Sequence, residues 1–235
     1  MSDYLRAIGG ANGNAIFRLF LEHRRLKFSE IEKLTELRSN KLAYYLKGMQ
    51  KENILRKKGE HYRLTGEAEK YLPLFSSRGR EPITTLPIVM VAIVRKGDML
   101  LIKRRKRPFK DYWCMIGGKM LFGETFEQAT RRLAMGKASI RGRFVSLNAI
   151  MHERIHENRE IKHSFMLFFT KMAARSAEFK QTPSGELKWF SLERIRRMKR
   201  RIVPSDYWLI TNRLDSSEEV RRIDMRDKGG RLVQR

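Results

Sequence analysis

The stretch WCMIGGKMLFGETFEQATRRLAMGKASI, Trp113 to Ile140, decides how this chain is read. An aromatic residue precedes the double glycine Gly117-Gly118, and Gly123-Glu124-Thr125 then opens a helix expected to run to about Ala138. Positions 133, 136 and 137 of that helix are spaced three and four apart, so they share one face. Upstream, Ile88–Val94 is a nearly continuous apolar strand, Lys96-Gly97-Asp98 a turn, and Met99–Ile102 a returning strand that runs into the basic segment Lys103–Arg107. Downstream, Arg143–His152 and Ser164–Lys171 read as strands, and Gly185–Leu192 leads into an arginine-rich helix. Strands mixed with helices in this way predict an α+β sandwich.

The first eighty residues have a different pattern. A helical stripe covers Asn14–Arg24, with Ile16, Phe17, Leu19, Phe20 and Leu21 apolar. Ser29-Glu30-Ile31-Glu32 predicts a capping box opening a second helix. After a turn at Leu37–Ser39, Ser39 is expected to cap a third helix with Leu42, Ala43, Leu46 and Met49 inward. Ile54–Leu55 and His61–Leu64 read as a hairpin across Lys57–Glu60, and Thr65 as the cap of a last helix. Over residues 10–75 this order resembles the winged helix-turn-helix family. The resemblance implies that the third helix enters a major groove, through Ser39, Asn40, Lys41, Tyr44, Tyr45, Lys47 and Lys51, with Lys57 and Lys58 on the wing.

Residues 86–212 resemble a Nudix hydrolase domain, on the ordered signals given above together with Glu186, Trp189, Phe190 and the segment Pro204-Ser205-Asp206. The family's box is a loop-helix-loop whose glutamates bind magnesium. Gly118, Glu124 and Arg132 match it; Leu133, Gly136 and Lys137 stand where the box has glutamates, Ser139 where it has glycine, and Ile116 where a proline usually precedes the double glycine. Mg²⁺ requires hard oxygen ligands, so metal-dependent hydrolysis is expected to be absent and no metal ligand or catalytic residue is assigned. Glu124 and Arg132 are read as holding the loop on the helix. Lys137 has two readings, a surface lysine or an ammonium that neutralises a phosphate directly. Glu153, Glu157 and Glu160 read as solvated turn residues, one of which could serve as a general base, and His152, His156 and His163 as ordinary exposed histidines.

Composition adds the charge. Fifty-one Lys and Arg against 26 Asp and Glu give +25, a surplus suited to a polyanionic partner. Arg104, Arg105 and Arg107 in one run, and Arg197 and Arg200 in another that also holds Arg194, Arg196, Lys199 and Arg201, are the second-domain candidates for nucleic-acid contact. One cysteine, Cys114, excludes a disulfide framework. Met1–Tyr4 lacks the marks of a signal peptide and no apolar run is long enough to span a bilayer, so a cytoplasmic protein without a membrane partner is expected.

The expected organisation is a winged helix-turn-helix domain over 1–80, a Nudix-like α/β/α sandwich over 81–214 with a linker near Pro73–Thr84, and a basic tail over 215–235 that is a short helix or a disordered arm. Three functions follow. The first is a DNA-binding transcriptional regulator, a candidate homodimer on double-stranded DNA, whose inactive Nudix fold senses a nucleotide such as ADP-ribose and needs no cofactor. The second is an RNA- or ribosome-associated protein. The third is a Nudix-type nucleoside diphosphate-X hydrolase with an accessory winged helix, the only reading that requires Mg²⁺.

Overall fold

The computed structural model describes residues 10–70, 84–106, 109–229 and 231–234. The chain divides into two units, Met1–Ile83 and Thr84–Arg235. The expected linker lies almost wholly outside the described residues.

In the first unit the apolar stripe of α1 (Ala11–Glu22) is buried through Ile16, Phe17 and Phe20. It packs with Ile31 of α2 (Phe28–Thr35) and with Leu42, Leu46 and Met49 of α3 (Ser39–Lys51). A short strand β1 (Leu26–Lys27) pairs with β3 (His61–Leu64), which in turn pairs with β2 (Leu55–Lys58), giving the order β1-β3-β2. Two residues carry no periodic signal, so β1 was not foreseen; its existence depends on Leu26 meeting Tyr62. Thr65 caps α4 (Gly66–Glu69), accepting from the Ala68 amide at 3.2 Å and donating to the Asn53 carbonyl at 2.6 Å.

Three local expectations are corrected. Helix α2 starts earlier than Ser29 would allow, because the Glu30 carboxylate accepts the Lys27 amide at 2.6 Å. Ser39 does not cap α3; its hydroxyl donates to Glu32. Ala43 is exposed, because the buried stripe of α3 needs only positions 42, 46 and 49.

The second unit is built on a seven-stranded sheet. Its strands are β4 (Leu86–Arg95), β5 (Asp98–Arg104), β6 (Trp113–Cys114), β7 (Ile116–Lys119), β8 (Gly142–Glu157), β9 (Glu160–Ala174) and β10 (Gly185–Ser191). The main order is β10-β5-β4-β9-β8, with β6 beside β5 and β7 beside β4. Strands β4 and β9 run parallel and the other pairs antiparallel. On β4, Val89, Val91 and Ile93 face α5 (Phe126–Ala138), joining Ala129, Leu133 and Ala134. Met90 and Ala92 face the other way, toward Ile195 of α6 (Leu192–Arg197) and Leu209 and Ile210 of α7 (Pro204–Arg213). A strand buried on both faces reads as an unbroken apolar run, which is why Ile88–Val94 shows no alternation. The result is an α/β/α sandwich.

Thr130, Thr170 and Asn148, buried polar residues of the second unit, are each paired. The Thr130 hydroxyl donates to Thr170 at 2.9 Å, and Thr170 donates to the Met90 carbonyl at 3.1 Å. The Asn148 amide donates to the carbonyls of Arg213 and Leu214 at 3.2 and 2.7 Å, which satisfies the end of α7.

The β8–β9 hairpin is longer than expected, turning at Asn158 and Arg159 with φ of 50° and 69°. The described residues from 225 to 234 form neither a helix nor a disordered arm. They make a hairpin of β11 (Met225–Lys228) and β12 (Arg231–Gln234). The segment before it is tied to the sandwich by the Glu218 amide donating to the Leu147 carbonyl at 2.8 Å. Among the described residues no helix is long and apolar enough to cross a membrane.

Candidate functional site

The loop from Lys119 to Thr125 is fastened to α5 at both ends. Thr125 and Gln128 form a reciprocal capping box, with distances of 2.8 and 3.2 Å. Glu124 accepts two guanidinium bonds from Arg132 and the Leu121 amide at 2.9 Å, and Arg132 also donates to the Lys119 carbonyl at 3.0 Å. The Arg132 guanidinium, more than any other group, holds the Glu124 carboxyl below the usual carboxylate range. With its oxygens so engaged, Glu124 is a poor candidate for metal or substrate.

The face of α5 that bears positions 133, 136 and 137 has three unlike occupants. Leu133 is buried. A side-chain carbon on Gly118 would lie 2.5 Å from Leu133 Cδ2, so the glycine at 118 lets α5 close on β7. Gly136 faces open space. Lys137 is half-buried and donates to the Gly117 carbonyl. Burial, reinforced by the neighbouring Arg104 charge, pushes its ammonium pKa down. It is therefore not the surface lysine that was one of its two readings. Ser139 ends the helix at φ 56°, a left-handed cap that glycine adopts without strain.

Lys137 opens on a cleft of about 280 Å³. One wall is apolar, formed by Leu86, Ile88, Met90, Phe109, Phe165 and Leu167. The polar side holds Arg104, Lys119, Lys137, Glu153 and Asp206. Asp206 is buried in the first turn of α7, and Oδ2 accepts the Met115 amide at 2.6 Å. Its carboxyl is pushed up to about 7, chiefly by burial, further by Glu153, and against the pull of the Met115 amide and Arg104. Glu153 accepts the Ser205 hydroxyl. Burial pushes the Cys114 thiol up strongly, so it is no nucleophile.

The expectation for Glu153 is corrected: the longer hairpin places it inside β8, half-buried and lining the cleft rather than in a solvated turn. Arg104 likewise lines the cleft, while Arg105 is exposed and Arg107 lies outside the described residues. Arg197 and Arg200 are exposed, and Arg197 pairs with Glu193. In the first unit Ser39, Asn40, Lys41, Tyr44, Lys47, Lys57 and Lys58 are exposed, Tyr44 to 75%. Tyr45 is half-buried, its hydroxyl accepting the Asn12 amide at 3.1 Å. Asp206 was missed as a site residue. Its signal was a carboxylate two residues after Pro204, the N1 residue of the helix.

A three-layer sandwich with a loop-helix-loop against its central strands defines the class. The model of the NUDIX domain matches residues 84–211. The chain belongs to the NUDIX domain family. Solved structures similar to it include a MutT protein from Bacillus halodurans, at 24% identity and TM-score 0.47 over 56% of this chain and 84% of that one. A MutT NUDIX hydrolase from Burkholderia pseudomallei is 23% identical, with TM-score 0.48 over 55% and 98%. A bifunctional NMN adenylyltransferase/ADP ribose pyrophosphatase from Francisella tularensis, solved with AMP and a manganese ion, is 15% identical, with TM-score 0.45 over 73% and 51%.

The family match corrects the functional expectation. More than half of the chain belongs to the NUDIX domain family, and this favours the third reading, a Nudix-type hydrolase, over a DNA-binding transcriptional regulator. Nudix hydrolases use Mg²⁺ or Mn²⁺. The donor set here does not fit such an ion: Leu133 and Gly136 offer no side-chain oxygen, Lys137 is cationic, and Glu124 is engaged by Arg132. Among the described residues no group of three His, Cys, Asp or Glu could hold a metal.

Proposed function

We propose that this chain is a Nudix-type hydrolase of nucleoside diphosphate derivatives, with its reaction centre in the cleft of the second unit and an accessory first unit. One observation carries the reading. The cleft sets two half-buried cations, Arg104 and Lys137, and a half-buried carboxylate, Glu153, beside an apolar wall with Asp206 at its base. Apolar walls with a few convergent polar groups suit a flat ring, and cations suit the phosphates attached to it.

The chemistry follows from the residues present. Glu153, steadied by Ser205, takes a proton from water as the water oxygen bonds to phosphorus. The phosphoanhydride P–O bond breaks and its electron pair leaves with the departing phosphate. Lys137 and Arg104 stabilise the charge gathered on the phosphate oxygens, which counts for more in a partly desolvated site. Asp206, with a pKa near neutrality, can donate or accept a hydrogen bond at the ligand's polar ring edge.

The element order and sheet of the first unit support reading it as a winged helix-turn-helix, with α3 as the helix that follows the turn and β2–β3 as the wing. No regulatory role is part of the proposal.

The test is phosphate or nucleotide release, followed by chromatography, from ADP-ribose, dinucleoside polyphosphates and nucleoside triphosphates, in EDTA and in Mg²⁺ or Mn²⁺. Turnover that Glu153→Gln removes is expected. No turnover of any substrate under any of these conditions would overturn the hydrolase reading.

A further inference from the structure

We infer that the cleft binds the diphosphate of its ligand without a divalent cation, the Lys137 ammonium and the Arg104 guanidinium together supplying the positive charge. The inference rests on the nucleotide-diphosphate reading of the same cleft and extends it to how the anion is held.

Four observations carry it. Lys137 projects from the last turn of α5, where the helix dipole favours a cation. It donates to the Gly117 carbonyl, and no carboxylate among the described residues pairs with it. That leaves donors of the ammonium to spare, since an ammonium has three. Arg104 lines the same cleft, again with no ion pair among the described residues; its Nε reaches the Lys106 carbonyl at 3.4 Å, and its guanidinium also contacts Cys114 and acts on Asp206. Two like charges held half-buried in one cleft repel each other, which is the first electrostatic cause, after burial, of the lowered Lys137 pKa. An anion placed between them relieves that repulsion, whereas a divalent cation would add to it.

Position matters as much as sign. Lys137 reaches the Gly117 carbonyl, so its charge sits at the edge of the double-glycine strand β7, beside the backbone of Gly118. The side-chain directions of the two glycines are taken up by Met90 at Gly117 and by Leu133 at Gly118, and a phosphate meets this strand from the cleft that Gly117, Gly118 and Lys137 line together. Asp206 and Glu153 line the same cleft, and both are already engaged, by the Met115 amide and the Ser205 hydroxyl respectively. They do not neutralise Lys137.

The experiment is calorimetric titration of the full chain with ADP, in excess EDTA and again in millimolar Mg²⁺, for the natural protein and for Lys137→Met, Lys137→Arg and Arg104→Met, with a thermal melt of each to establish folding. Binding in EDTA is expected, at an affinity Mg²⁺ does not improve. Lys137→Met and Arg104→Met are each expected to weaken it at least tenfold, and Lys137→Arg to retain most of it because the charge is kept. Binding that appears only with Mg²⁺, no binding of ADP in either condition, or a folded Lys137→Met that binds as tightly as the natural protein would each overturn the inference. The outcomes separate it from the hydrolase reading. ADP held in EDTA through Lys137 with no turnover of any substrate leaves the inference standing and removes the reaction; turnover that requires Mg²⁺ does the reverse.

Discussion

Replacing Asp206 by Asn should make the second unit more stable at neutral and alkaline pH and nearly indifferent to pH between 4 and 8 at this site. In the fold the Asp206 carboxyl titrates at about 7 against an ordinary value of 3.8. Burial raises it first, Glu153 adds to the rise, and the Met115 amide and Arg104 oppose it. Below the unfolded value both states are protonated and the residue costs nothing. Between the two values the unfolded chain is ionised and the folded one is not, so stability falls by about 1.4 kcal/mol per pH unit. Above the folded value the full penalty applies, on the order of 4 kcal/mol from a shift of about three units. Asparagine carries no charge to desolvate, and its amide oxygen can still accept the Met115 amide. The difference between variant and natural protein therefore grows from near zero at pH 4 to a few kcal/mol at pH 8. Urea unfolding followed by tryptophan fluorescence reads it cleanly, because all three tryptophans, Trp113, Trp189 and Trp208, lie in the second unit. Comparing the two proteins at each pH cancels the acid sensitivity of the rest of this basic chain. A difference that does not change with pH, or that has the opposite slope, would refute the argument.

Other substitutions test other links. Glu153→Gln keeps the Ser205 contact but cannot take a proton, so turnover should fall by roughly a hundredfold or more while ADP affinity measured by calorimetry changes little. Ser139→Gly should stabilise the second unit by about 1 kcal/mol, since Ser139 ends α5 at φ 56°; chemical denaturation measures it. Gly185→Ala should destabilise by roughly 1–3 kcal/mol, because the added carbon would press on the Lys103 carbonyl and lie 2.7 Å from Ile102 Cγ1, in the pairing of β10 with β5; the melting temperature would show it.

The sequence by itself determined the elements whose signal is local and periodic. The stripe of α1, the doubly buried strand β4 and the Thr125-to-Ala138 helix all declare themselves within a dozen residues, because burial on a fixed face imposes its period on the side chains. It also determined that the carboxylates of the box are missing, and that Glu124 and Arg132 bind the loop to its helix, since identity and spacing are enough for both. It could not place what depends on register between distant strands. Arg104 reads as one member of a basic run until β5 turns it into the cleft. Glu153 reads as a solvated turn residue until β8 and β9 prove long enough to keep it in the sheet. Asp206 lies 91 residues from the Met115 amide it accepts, and only the docking of α7 on the sheet buries it. Lys137 is the sharpest case. Its charge is evident in the sequence, but its burial beside another cation is a property of the packed cleft, because desolvation and mutual repulsion exist only where tertiary structure removes water and fixes the distance between charges.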